Sequence, residues 1–158
     1  MSTISPFLWF DNQAEEAVEL YTRVFPRSKV TQVQRYGAGG PGPEGAVMVI
    51  QFELDGLPFT ALNGGPQHYN FNESVSFVVS CADQAEVDAY WDALTADGGK
   101  PGPCGWLKDK YGLSWQIIPT ALTELLSDPD PARAGRVTQA MLQMSKIDIA
   151  ALQAAQRG

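Results

Sequence analysis

The spacing of apolar and polar positions changes twice in the first half of the chain, which predicts one helix flanked by strands. The apolar run Ile4–Phe10 is too short for a helix and is typical of a buried strand. Over residues 14–25 the apolar side chains recur at helical spacing, with Asp11 or Asn12 placed to cap the helix and Pro26 to end it. Three more strands are predicted, at Lys29–Tyr36, Ala46–Leu54 and Leu57–Leu62.

The second half repeats this order in a shorter form. Ser74–Cys81 has the composition of a strand, Asp83 is placed to cap a helix that ends at Gly98, and Lys100–Pro103 is a loop or short strand. A hairpin follows, formed by Gly105–Asp109 and Leu113–Ile118. Strand, helix and three strands in each half predict an α+β fold of paired βαβββ modules in one domain over residues 1–158. Module one takes about residues 3–66 and module two about residues 72–119.

A helical tail is predicted over about residues 120–158. Thr120–Leu126 forms a helical turn, Arg133–Met144 carries apolar residues on one face, and Asp148 is placed to cap a last helix. Amphipathic helices beyond two complete modules are expected to cover a sheet or a dimer partner.

Charge and composition exclude several classes of partner. The formal net charge is −7, and no cluster of four or more Lys or Arg occurs, which argues against a nucleic-acid groove and against an anionic membrane surface. No apolar run approaches the length of a membrane span, and the N-terminal segment lacks the pattern of a signal peptide. Cys81 and Cys104 have no metal-binding spacing and are expected to be free thiols. A cytoplasmic protein is therefore predicted.

Six blocks of sequence carry a resemblance to a known family. They are FLWFDNQAEEAVELYTRVFPRSKV near the start, LNGGP at 62–66, FNESVSF at 71–77, DQAEVDAYWDAL at 83–94, CGWLKDKYGLSWQIIP at 104–119 and AMLQMSKIDIAAL at 140–152. Together they resemble the PhnB-like branch of the vicinal oxygen chelate superfamily, which is labelled 3-demethylubiquinone-9 3-methyltransferase. The superfamily includes glyoxalases, extradiol dioxygenases and antibiotic-resistance proteins. The resemblance implies paired βαβββ modules that curl into a cup around a ligand, and a homodimer.

The resemblance also implies where a divalent metal ion would be held, and there this chain departs from the pattern. The superfamily's enzymes use His, Glu or Gln at these places. The usual Glu corresponds to Gln116, and the His of the same module falls at about Ser74. In module one the places fall near Ser5 and near Ala61 or Asn63. Neutral hydroxyls and amides are weak ligands for a transition metal, so no metal and no other cofactor is predicted.

The predicted cavity has aromatic walls and a few polar groups. Asn63 and Gln116 either satisfy the local backbone or await a ligand, and His68 is either an exposed loop side chain or a group at the mouth of the cup. Trp115 is expected to point away from the cavity if Gln116 points into it. The candidate ligand-binding residues are Phe7, Trp9, Asn63, His68, Ser74, Trp106 and Gln116.

These observations favour a metal-free homodimer that binds a small molecule of unknown identity. The alternatives are a divalent-metal enzyme of the superfamily type, the quinone methyltransferase of the family label, and a purely structural or regulatory protein. The glycine-rich segment Gly37–Gly42 precedes a predicted strand rather than a helix, so no adenosylmethionine-binding motif is found. Cys104 has no evident basic neighbour to activate it as a nucleophile. Whether the chain is an enzyme stays open.

Overall fold

A computed structural model describes residues 3–158. The chain divides into two compact units, and the boundary along the sequence falls between Tyr69 and Asn70. The first unit contains one helix and one four-stranded sheet, with the strand order β1-β4-β3-β2. Strand β1 runs parallel to β4, and the other neighbours are antiparallel. Its elements are β1 (Phe7–Phe10), α1 (Ala14–Val24), β2 (Lys29–Arg35), β3 (Val47–Leu54) and β4 (Leu57–Asn63).

Strand alternation gives the first sheet one covered face and one exposed face. In β1, Leu8 and Phe10 are buried on the side of α1, whereas Phe7 is 60% exposed and Trp9 is partly exposed on the other side. The predicted strand, helix and three strands are therefore confirmed.

The start of α1 differs from the prediction. Neither Asp11 nor Asn12 caps the helix; the N-cap position is Gln13, whose side chain makes no capping hydrogen bond. Instead, Asn63 Oδ1 accepts a hydrogen bond from the Ala14 N–H at 2.8 Å. Asn63 reaches this position because β4 lies beside β1 and its last residue pairs with the last residue of β1. A side chain distant in sequence thus satisfies one of the free N–H groups at the helix start.

The second unit, from Asn70 to Gly158, repeats the topology and adds the tail. Its sheet has the order β5-β8-β7-β6, again with one parallel pair, between β5 and β8. Asp83 caps the helix as predicted, accepting the Glu86 N–H at 2.9 Å. The elements are β5 (Ser76–Cys81), α2 (Gln84–Thr95), a short 3₁₀ turn (Ala96–Gly98), β6 (Lys100–Pro101), β7 (Trp106–Lys108), β8 (Ser114–Pro119), α3 (Thr120–Leu126), α4 (Pro131–Leu142) and α5 (Ile149–Arg157).

The first strand of the second unit begins two residues later than predicted. Ser74 is exposed in a turn, where its N–H donates to Asn72 Oδ1 at 2.9 Å, and the strand starts at Ser76. A short polar side chain that binds the backbone two residues further on favours a turn over a strand. The turn therefore extends through Ser74.

The tail helices form a small core of their own against the end of β8. It consists of the buried residues Leu122, Val137, Ile147 and Leu152. The segment between α4 and α5 is tied to the loop between β6 and β7, because Cys104 N–H donates to the Met144 carbonyl at 2.9 Å and Gly105 N–H to the Ser145 carbonyl at 2.8 Å.

Candidate functional site

The exposed face of the second sheet carries an amide, a hydroxyl and an indole side by side. Gln116 in β8 pairs with Val78 in β5 and with Trp106 in β7, so these side chains share one face. Gln116 Nε2 donates to Ser76 Oγ at 3.0 Å. Trp115 lies on the opposite, buried face with 3% exposure, as predicted from alternation.

Of the predicted residues, Trp106 and Gln116 are brought together, and Ser74 is not beside them. The hydroxyl next to Gln116 belongs to Ser76, which sequence reasoning missed. Ser74 and Ser76 are two residues apart and would share a face in one continuous strand. The alternating Ser-x-Ser pattern therefore indicated a serine hydroxyl on this face. Which serine contacts the amide depends on where the strand starts, and it starts at Ser76.

A cavity of about 450 Å³ adjoins Trp106 at the β6–β7 edge. Its polar residues are Glu73, Lys100, Lys108 and Ser114. Lys108 forms a salt bridge with Glu73, and the hydrogen bond from Lys108, followed by the backbone hydrogen bond and the Lys108 charge, lowers the pKa of that carboxyl. Its remaining walls are Pro101, Gly102, Pro103, Trp106 and Leu107.

Ser114 is the unusual member of this cavity. Its side chain is 1% exposed, and its Oγ has no hydrogen-bond partner among the described residues. A buried hydroxyl without a partner costs about 1–3 kcal/mol, so such groups are uncommon away from functional sites. The hydroxyl is thus available to a molecule in the cavity.

The hairpin that carries these residues is held by a buried carboxylate. Asp109 is 2% exposed; its Oδ1 accepts the backbone N–H groups of Tyr111 at 2.9 Å and Leu113 at 3.1 Å. Its Oδ2 accepts the Trp115 indole N–H at 2.9 Å. The strands that present Trp106 and Gln116 are therefore fixed from beneath the exposed face.

The first unit assembles its own aromatic group from three predicted residues and one that was not predicted. Trp9 Nε1–H donates to the Gly65 carbonyl at 3.0 Å, and the Trp9 ring meets Tyr69 edge-on at 5.8 Å. His68 contacts Tyr69 edge-on at 5.9 Å and has no hydrogen bond or ion pair within the described residues. Phe7 lies exposed on the same strand face as Trp9. His68 thus lacks the orienting carboxylate that a general base needs.

Asn63 faces the helix, not the exposed face of the sheet. Besides accepting the Ala14 N–H, its Nδ2 donates to the Val47 carbonyl at 3.1 Å. The backbone carbonyl of Asn63 accepts a hydrogen bond from the Tyr36 hydroxyl. Of the two alternatives that the sequence left open for this amide, the structure shows contacts with local backbone.

The donor chemistry around Gln116 does not fit a transition metal. Gln116, Ser76 and Ser114 offer only neutral oxygens and nitrogens, which bind such ions weakly without an imidazole or carboxylate partner. Within residues 3–158, no group of three or more His, Cys, Asp or Glu side chains is placed to hold a metal ion.

The glycine-rich loop after β2 leads into a strand, as predicted. Tyr36 and Ala46 close it by a backbone hydrogen bond of 2.9 Å, and β3 begins at Val47. A loop between two strands offers no helix N-terminus for the phosphate or carboxylate of a nucleotide-type cofactor. No helix within the described residues is long and apolar enough to cross a membrane.

Residues 2–118 match the family described as 3-demethylubiquinone-9 3-methyltransferase. The chain belongs to this family. A PhnB protein from Bacillus cereus, labelled as a 3-demethylubiquinone-9 3-methyltransferase, is 32% identical; the alignment covers 75% of this chain and 99% of that chain, with a TM-score of 0.68. No curated protein matches the chain.

More distant structures share the fold alone. Protein PA1353 from Pseudomonas aeruginosa is 19% identical over 75% of this chain and 98% of that chain, with a TM-score of 0.62. The fosfomycin resistance protein FosX from Listeria monocytogenes is 12% identical over 75% of this chain and 93% of that chain, with a TM-score of 0.51. The PhnB-like resemblance and the paired βαβββ fold are thereby confirmed. The family match ends at residue 118, so the likeness in the helical tail stays a prediction.

Proposed function

We propose that this chain binds a small organic molecule on the exposed face of the second sheet, without a metal ion. The observation that carries the proposal is the amide–hydroxyl pair of Gln116 and Ser76 beside the Trp106 indole. Small-molecule sites combine apolar and aromatic walls with a few placed polar groups, and the adjoining cavity of about 450 Å³ lies in the usual size range.

The Gln116–Ser76 pair has hydrogen-bonding capacity to offer a ligand. One N–H of the Gln116 amide donates to Ser76 Oγ, while the amide oxygen and the Ser76 O–H have no partner among the described residues. An acceptor and a donor side by side suit a ligand that carries a carbonyl, hydroxyl or amide group. The Trp106 indole supplies an apolar wall for the rest of the ligand.

The absence of a metal from this function is supported by the donor set. A Gln in place of the superfamily's usual Glu leaves the face around Gln116 without an anionic ligand, and Ser76 adds only a neutral hydroxyl. Titration of ¹⁵N-labelled protein with MnCl₂ tests this part. Selective paramagnetic broadening around Gln116 at stoichiometric Mn²⁺ would overturn the metal-free proposal.

A fragment screen by protein-observed NMR tests the binding proposal. We expect flat fragments with a carbonyl or hydroxyl group to shift the resonances of Gln116 and the Trp106 indole. The variant Gln116→Leu should weaken these fragments about fivefold or more, since one hydrogen bond contributes about 1 kcal/mol. Gln51→Leu is the matched control, because Gln51 is an exposed glutamine in a central strand of the first sheet. Equal binding by the wild type and Gln116→Leu would refute the proposed role of the amide.

We also propose that the chain forms a homodimer. Support comes from exposed apolar side chains on two edge strands, one in each sheet. Phe7 on β1 is 60% exposed, and Val78 on β5 is 58% exposed. Exposed apolar side chains on sheet edges favour association. We expect sedimentation equilibrium to show a dimer that Val78→Asp dissociates and that Gln51→Asp, on the central strand β3, leaves intact. A monomeric wild type would refute this proposal.

A further inference from the structure

The two sheets differ in charge at one equivalent place. In the first sheet, Lys29 of β2 stands directly opposite Glu53 of β3, with 3.8 Å between Nζ and Oε2. In the second sheet, Lys100 of β6 stands opposite Lys108 of β7. Opposite charges across antiparallel strands stabilise a sheet, and like charges destabilise it. Across the strand pair, Lys100 therefore lacks the opposite charge that Lys29 has in the first sheet.

We propose that the cavity beside Lys100, Lys108 and Ser114 binds the anionic group of a small organic molecule with an apolar body. This inference rests on the proposed function, whose face shares Trp106 with the cavity, and it names the class of ligand. The ligand's anion lies against the lysines and the Ser114 hydroxyl, and its body lies against Trp106.

The charges of the cavity leave one cation uncompensated. Glu73 forms a salt bridge with Lys108, whereas Lys100 has no ion-pair partner among the described residues. Two lysines and one glutamate leave a local charge of +1 on a chain whose formal net charge is −7. Surplus positive charge in this cavity favours an anionic ligand.

Ser114 gives the cavity a directional donor. Its Oγ is buried and has no partner in the described residues, although its strand position places it between Ser76 on β5 and Lys108 on β7. An anionic oxygen accepts a hydrogen bond from a hydroxyl and is attracted by an adjacent ammonium, so one carboxylate satisfies both groups. A neutral ligand satisfies only the hydroxyl.

The remaining walls define the body of the ligand. Pro101, Pro103 and Trp106 offer apolar surface, and the volume of about 450 Å³ accommodates one aromatic ring with substituents. The ligand class is thus an aromatic or similarly compact monocarboxylate.

Three probes of similar size and different charge test the inference: benzoate, benzamide and benzylamine. Their binding is followed by NMR titration of the Gly102 and Lys108 amides and the Trp106 indole. We expect benzoate to bind about fivefold or more tightly than benzamide, the factor that one unit charge at about 4 Å gives in water. Benzylamine should bind least.

Two variants and a matched control complete the test. Lys100→Gln and Ser114→Ala should each weaken the binding of benzoate. Each should weaken the binding of benzamide by a smaller factor. Lys29→Gln removes the same charge from the equivalent strand of the first sheet, and it should leave benzoate binding unchanged. Ser114→Ala is nearly isosteric and removes a hydroxyl without partners, so the fold is expected to persist.

The outcomes separate this inference from the function on which it rests. Benzamide binding as tightly as benzoate overturns the anion site while the small-molecule face stands. Equal weakening by Lys29→Gln and Lys100→Gln also overturns it, because the effect then comes from overall charge. If none of the probes or fragments shifts Trp106 or Gln116, both proposals fail.

Discussion

Replacing the buried Asp109 by Asn tests the claim that one carboxylate holds the hairpin under the candidate site. The hydrogen bonds that Asp109 accepts include two on Oδ1 from backbone N–H groups and one on Oδ2 from the Trp115 indole. Asparagine keeps one oxygen for the two backbone donors, but its NH₂ group then faces the indole N–H. Two donors cannot bond to each other, so one charge-assisted bond is lost and buried donors are left without acceptors.

The expected loss of stability follows from those contacts. A hydrogen bond to a charged group contributes about 1.5–3 kcal/mol and an unsatisfied buried donor costs about 1–3 kcal/mol, while the neutral amide relieves part of the burial cost of the carboxylate. We therefore expect Asp109→Asn to lower the free energy of unfolding by about 2–5 kcal/mol.

Urea unfolding at pH 7, followed by tryptophan fluorescence and far-UV circular dichroism, measures this change. Asp92→Asn, an exposed aspartate on α2, is the control and should unfold like the wild type. A double-mutant cycle with Trp115→Phe isolates the bond to the indole, and the double variant should lose less stability than the two single losses together. Additive losses, or an Asp109→Asn curve that overlays the wild type, would refute this account of the hairpin.

Three further predictions concern single residues. Asn63→Leu should destabilise the chain by about 2–4 kcal/mol in urea unfolding, because the Ala14 N–H and the Val47 carbonyl lose their partner, and it should leave fragment binding to the second sheet unchanged. Gly64→Ala should lower the melting temperature measured by calorimetry, since a Cβ there would lie 2.3 Å from the Trp9 indole ring. Gly135→Ala, which has open space in α4, should raise the melting temperature, because alanine favours a helix more than glycine does. Burial, then the charges of two acidic residues, raises the pKa of the Cys81 thiol to about 11, so iodoacetamide should modify it slowly at pH 8. Because the unfolded thiol ionises near its ordinary value, Cys81 should stabilise the fold fully below that value and progressively less as the pH rises towards 11; fast labelling at pH 8 would contradict this.

Local patterns predicted the elements because each element follows from neighbouring residues. Alternation predicted the buried Trp115 opposite Gln116, and the Asp83 cap needed only the helix that starts beside it. Asn63 shows where such reasoning stops. It caps α1 from the end of β4, and that contact exists only because β4 pairs with β1. A helix cap that depends on the pairing of distant strands cannot be predicted from the local sequence pattern.

The cavity was beyond prediction for a related reason. Its wall at Gly102 is held by the tail, where the Ser145 hydroxyl donates to the Gly102 carbonyl at 2.6 Å and Met144 accepts from Cys104. The position of the loop therefore depends on residues that follow it by about forty positions, outside the segment that matches the family. The sequence predicts Trp106 as a wall of the cavity, but no local pattern predicts which other residues complete it.

The difference between the two modules supports the proposed site on the second sheet. Both sheets have the same strand order; the exposed face of the first carries Phe7 and Trp9, and that of the second carries Trp106. In the first, Lys29 faces Glu53, and the Asn63 amide is bonded to backbone. In the second, Lys100 faces a like charge and Ser114 has no partner among the described residues. Lys100 and Ser114 are therefore the groups of the second sheet for which a ligand would supply the missing contacts.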